Sequence, residues 1–183
     1  MIKKEDFYCG AFLSFLLNNG IVPALFEERV EVNRKIYDFT TNKGDFRVYV
    51  KYSEKPSSEN KAKSSSIWNF PFTESQIDEI KTIDSEDKQF YFVFVCGKLS
   101  LNKSKVAVVP KEKIFQCIDL NRLDKYKNQS AKIRLVKGHW SFDVYGTARA
   151  DKLGGKDNTF QVRIKNIDEI FGIEQNEKIE TKN

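Results

Sequence analysis

The stretch from Ile36 to Ser53 constrains the fold more than any other part of the chain. Its second half alternates: Phe46, Val48, Val50 and Tyr52 point one way, and Asp45, Arg47, Tyr49 and Lys51 point the other. That period of two is the signature of a strand. Asn42-Lys43-Gly44 precedes it, and a glycine at a tight corner supplies the positive φ that a hairpin needs. With Lys43 and Gly44 as the loop, Asp38 faces Tyr49 and Ile36 faces Lys51, while Phe39 and Tyr37 face Val48 and Val50. A three-residue loop would slip the pairing by one and set Asp38 among the valines, where an unpaired carboxylate is costly. The expected polar face therefore holds Asp38, Tyr49 and Lys51.

An Asp on one strand followed by Val-x-Val-Lys on the next resembles the PD-(D/E)XK nuclease superfamily. The resemblance covers roughly residues 1 to 120 in element order. It implies a restriction-endonuclease-like α/β fold, a mixed central sheet flanked by helices. It also implies Mg²⁺-dependent hydrolysis of DNA phosphodiesters, with Asp38 as a metal ligand and Lys51 orienting or activating the attacking water. Tyr49 stands where that family carries its second acid. An acid near the end of the first helix can join such a site, which makes Glu28 the replacement catalytic and metal-ligating residue. Asp45 shares the right face, but it lies about 13 Å along the strand from Tyr49 at the usual rise per residue.

The remaining elements extend this pattern. Phe7, Ala11, Phe12, Phe15 and Leu16 recur at helical spacing over residues 5–19, and Asn18-Asn19-Gly20 is a stop signal. Ile21 to Phe26 reads as a buried connector. Residues 54–66 lack apolar character apart from one alanine and predict a mobile loop beside Lys51. Order returns at Ile67, and Thr73 with Gln76 form a capping-box pattern ahead of a helix that turns Ile77, Ile80 and Ile83 inward. Gln89 to Cys96 is almost continuously apolar, as a central strand covered on both faces must be. Val106–Val109 is its expected neighbour, followed by a helix over 111–120. Strands are expected at 132–136, 140–145 and 160–164, and a short helix at 167–171. The expected organisation is a nuclease-like core at 1–123, a β-rich elaboration at 124–172 and a polar tail at 173–183.

Charge is unevenly spread. Residues 98–165 carry 16 Lys and Arg against 6 Asp and Glu, whereas residues 1–97 carry 13 against 15. A basic segment of this size predicts a surface for a polyanion. Lys132, Arg134 and Lys137 are the expected nucleic-acid contacts, with DNA as the expected partner. A solvated lysine-rich surface explains the same charge without a partner. The longest apolar run is too short to span a membrane, the N-terminus has no secretory pattern, and three unpaired cysteines predict a reduced, cytoplasmic chain. One histidine, His139, argues against His-paired zinc sites, and no glycine-rich phosphate loop is present. Two further classes stay open: a nuclease-like DNA-binding module that has lost catalysis, and a protein-interaction partner using sheet edges of the last third. A homodimer is compatible with either.

Overall fold

The apolar run at Gln89–Cys96 needs cover on both faces, and the architecture supplies it with two different layers. The computed structural model describes residues 1–25, 34–84, 87–121, 128–152, 159–164 and 167–172. It is a mixed α/β fold with two five-stranded sheets. The first sheet runs in the order β1 (Ala24–Leu25), β2 (Arg34–Thr41), β3 (Gly44–Ser53), β6 (Gln89–Cys96), β7 (Lys105–Pro110). Its β3 and β6 are parallel and its other pairs antiparallel. The second sheet is antiparallel, in the order β10 (Phe160–Arg163), β9 (Ser141–Gly146), β8 (Gln129–Val136), β5 (Ser65–Phe72), β4 (Ser58–Asn60).

One face of the first sheet is closed by α1 (Lys4–Asn18) and α5 (Ile167–Phe171). Cys9, Phe12, Leu16 and Phe171 pack there against Phe46, Val48, Val50, Val93 and Val95. The helix turns Cys9, Phe12 and Leu16 inward, whereas Phe7 and Ala11 of the expected stripe are exposed. Of the connector, Ile21 is buried but Val22 is exposed. The opposite face of the sheet meets Trp68, Phe70 and Phe72 of β5, together with α2 (Glu74–Ile83) and α3 (Lys111–Cys117). Phe70 and Phe94 meet across this interface with centroids 4.6 Å apart and ring planes tilted by 50°. Aromatic side chains from both sheets interdigitate in this layer.

The architecture therefore differs from one central sheet with an appended β-rich part. The second sheet draws β4 and β5 from before residue 123 and β8, β9 and β10 from after it. The stretch 54–66, expected as a loop, forms β4, a turn at 61–64 and the start of β5. A further helix, α4 (Thr147–Lys152), follows β9 without having been expected. The polar tail beyond residue 172 lies outside the described residues, as does Glu28.

The hairpin register also departs from expectation. Asp38 pairs with Arg47, Ile36 with Tyr49 and Arg34 with Lys51, so the corner is Asn42-Lys43, with Gly44 at φ +118° opening β3. The shift is two residues, which leaves every side chain on its expected face. Its physical reason is visible in the pair it creates: Asp38 gains a cation directly across the strand instead of a phenol.

Candidate functional site

The polar face of β2 and β3 lies beneath α2. The helix starts as a capping box, with Thr73 Oγ1 accepting from the Gln76 amide at 3.2 Å and Gln76 Oε1 accepting from the Thr73 amide at 3.4 Å. Gln76, Glu79 and Ile83 then fall on the helix face that covers the strands. Each meets one step of β3. Lys51 Nζ donates to Gln76 Oε1 at 2.8 Å, Tyr49 Oη donates to Glu79 Oε2 at 3.2 Å, and Arg47 Nη1 donates to the Ile83 carbonyl at 2.7 Å. Two residues of strand advance about 6.6 Å and three or four of helix about 5 Å, so an antiparallel helix can meet alternate strand residues in turn.

Ionic pairing reinforces this match. Arg34, opposite Lys51 across the hairpin, forms a buried ion pair with Glu79. Arg34 is 3 % exposed, Lys51 2 % and Glu79 7 %. The Lys51 ammonium also lies 4.7 Å from the centroid of the Phe72 ring. At the other end, Arg47 grips Asp38 with two parallel bonds of 2.9 Å, Nε to Oδ1 and Nη2 to Oδ2. Lys88 Nζ adds a third bond to Oδ2 at 2.5 Å. Burial works to raise the Asp38 carboxyl, but the hydrogen bonds from Arg47 and Lys88 outweigh it and hold it below the usual carboxylate range.

These positions bear on each expected catalytic residue. Asp38 and Lys51 share a face, as expected. However, Asp38 sits opposite Arg47, four residues from Lys51, which is about 13 Å of strand. They are not the close cross-strand neighbours that the other register would have made them. Asp45 is exposed at the hairpin end and accepts from Thr40 Oγ1 at 2.5 Å. Among the described residues, no group of three or more His, Cys, Asp and Glu is placed to hold a metal ion. Glu79 was not singled out from the sequence, and Gln76 only as half of the capping box. The signal was their spacing beside the inward isoleucines, which puts them on a flank of the same helix face.

The expected nucleic-acid contacts lie on the second sheet. Its inner face takes Ala131 and Ile133 of β8, so Lys132 and Arg134 face outward. Lys132 is exposed beside the Tyr145 ring, and Arg134 donates to Asp143 Oδ2 through Nε at 2.9 Å and Nη2 at 2.7 Å. Lys137 begins the turn to β9, and its amide donates to the Ser64 carbonyl at 2.9 Å. That bond sets two hairpin tips side by side, one carrying Lys61 and Lys63 and the other Lys137, His139 and Trp140. All five are exposed, Trp140 at 81 %.

No family model, no curated protein and no solved structure matches this chain. No helix among the described residues is long and apolar enough to cross a membrane.

Proposed function

We propose that this chain is a nucleic-acid-binding module built on a nuclease-like hairpin, with DNA the first partner to test. Asp38 and Lys51 serve its structure, not phosphodiester cleavage. The observation that carries this reading is the Asp38 carboxylate, held by both arms of Arg47 and by Lys88. A divalent ion needs several oxygens with free lone pairs. Here the ion would compete with two cations for one carboxylate, and the lysine of the motif lies under α2 on Gln76.

Binding is assigned to the outer face and tips of the second sheet. Lys132, Arg134 and Lys137 offer positive charge to phosphates, and Trp140 offers an open aromatic face to an unpaired base. The test is a set of titrations with duplex DNA, single-stranded DNA and structured RNA over a range of salt, with and without Mg²⁺ or Mn²⁺. The expected result is salt-dependent binding without cleavage. Replacing Lys132, Arg134 and Lys137 together by Ala is expected to flatten the salt slope by up to about 0.7–0.9 per lost phosphate contact. Unchanged affinity in that variant would move the surface elsewhere. Metal-dependent cleavage abolished by Asp38→Asn would instead establish a Mg²⁺ nuclease, with Asp38 and Glu28 as the first ligands to examine.

A further inference from the structure

A second basic site lies where the parallel strands β3 and β6 end. Their exits diverge. The chain leaving Ser53 passes to the other sheet through Lys55 and Pro56, whereas the chain leaving Cys96 turns back into β7. Neighbouring parallel strands whose exits part in this way leave a crevice at their carboxyl ends. Here the crevice is a cavity of about 330 Å³, within the usual size range of small-molecule sites.

The crevice has a fixed floor. The Gly97 amide donates to the Ser53 carbonyl at 2.7 Å. A Cβ on Gly97 would lie 2.5 Å from the Glu54 carbonyl oxygen and 2.6 Å from that of Ser53, so only glycine permits the two exits to run this close. The Trp68 indole donates to the Gly97 carbonyl at 2.7 Å and pins the same turn from below.

The lining is cationic. Lys55, Lys98 and Lys103 line it together with Ser100, and Pro56 and Leu99 are its apolar members. Lys98 is positioned rather than loose: its ammonium lies 5.4 Å from the Trp68 ring centroid and donates to Ser66 Oγ at 2.6 Å. Glu59 is the one acid of the lining, and it is ion-paired with Lys98. Three ammonium groups and one carboxylate leave the cavity two positive charges in excess, which matches the charge of a phosphate dianion.

We infer that this cavity binds a phosphomonoester, with Lys55, Lys98 and Lys103 as the charge partners and Glu59 holding Lys98 in place until the phosphate takes over. Lysine suits this role because it binds phosphate as a mobile point charge and does not demand a fixed fork geometry. The site shares no residue with the nucleic-acid surface proposed above, and neither depends on the other. The phosphate can come from a free mononucleotide or from the 5′ end of a strand.

Calorimetric titration of the full chain with 5′-AMP, adenosine and inorganic phosphate tests the inference. Saturable binding of AMP but not adenosine is expected. Lys55→Ala with Lys103→Ala, both exposed in the free protein, is expected to weaken AMP by about tenfold, the scale of losing charge-assisted bonds. Glu59→Gln is expected to tighten AMP by about threefold, because it removes the competing carboxylate and leaves the amide in place. A 5′-phosphorylated oligonucleotide binding more tightly than AMP, with the gain lost in its 5′-hydroxyl counterpart, identifies a strand end as the source. AMP binding more tightly than either oligonucleotide identifies a free nucleotide. Equal binding of AMP and adenosine, no binding of AMP, or AMP affinity untouched by the double substitution overturns the inference.

Discussion

Two hairpins of this chain carry the same pair of residues in the same relation. In β2–β3, Asp38 stands directly across from Arg47; in β8–β9, Arg134 stands directly across from Asp143. In each case the partners are nine residues apart and the guanidinium uses Nε and Nη2. What differs is the cover. Arg47 lies under the end of α2, with its side chain 8 % exposed and a third bond to the Ile83 carbonyl, whereas the Arg134 side chain is 41 % exposed on an open sheet face. The chemistry of a pair therefore does not fix its role. A covered pair must be satisfied within the fold, because an unpaired charge there costs several kcal/mol. In the second pair only the cation is open: Asp143 is buried, and the exposed guanidinium can reach an outside anion while it keeps that carboxylate.

The largest expected effect lies at the covered end. Glu79→Ala removes a carboxylate shared by Arg34 and Tyr49 beneath α2. Urea unfolding is expected to show a loss of about 3 kcal/mol, the usual scale for breaking a buried ion pair from one side. A loss below about 1 kcal/mol would mean that this layer is not the sealed interior its burial implies.

Asp38→Asn comes next, at about 1–2 kcal/mol, because it leaves the partly covered Arg47 with a weaker acceptor. Its signature is the pH dependence. The folded carboxyl titrates below its unfolded value, so its contribution is fully present above about pH 4 and is lost as pH falls through the folded value. The gap in stability between parent and Asp38→Asn should be constant near neutral pH and narrow in acid. A gap that stays constant from pH 7 down to pH 2 would contradict the Arg47 and Lys88 clamp.

Much of this contrast was legible in the sequence, and the reasons it was incomplete are physical. The alternation from Asp45 to Tyr52 fixed which side chains share a face, and a two-residue slip in register could not alter that. It did alter the partner of Asp38, because turn composition alone does not choose between a Lys43-Gly44 corner and an Asn42-Lys43 corner. The capping box at Thr73 and Gln76 was readable because it is local. The second sheet was not. Trp68, Phe70 and Phe72 alternate well enough, but Pro71 and Asn69 obscure the strand, and its partner β8 begins more than fifty residues later. Pro71 is tolerated because β4 pairs with Ser65–Ile67, which among the described residues leaves that part of β5 without a strand neighbour on one side. Lys132 and Arg134 were picked out by charge, whereas their outward direction needed the inward partners Ala131 and Ile133 to be known.

Arg134→Ala tests the open pair directly. Its cost to stability is expected to be about 1–2 kcal/mol, because the buried Asp143 carboxylate loses both of its guanidinium bonds. Under the proposed function, nucleic-acid affinity should fall and its salt slope should flatten by about one phosphate contact. The same substitution at Arg47 should do the reverse, lowering stability and leaving the salt slope unchanged. A salt slope that responds to Arg47 but not to Arg134 would invert the assignment of the two pairs.

The smallest effect on stability is expected at Trp140. The ring is exposed at the tip between β8 and β9, so Trp140→Ala removes almost no buried area, and unfolding should shift by no more than about 0.5 kcal/mol. Its carbonyl accepts from the Ile164 amide at 2.9 Å, a bond that alanine keeps, so the tip should hold its shape. Binding is where the residue should register. Base stacking on an aromatic ring is worth about 1–3 kcal/mol, and only unpaired bases offer a free face. The variant should therefore lose affinity for single strands and keep most of its affinity for duplex, with an unchanged salt slope, since no charge is removed. Loss on duplex and single strand alike would assign Trp140 to backbone contact. No loss on either would leave the lysines of the two tips as the whole of the binding contribution there.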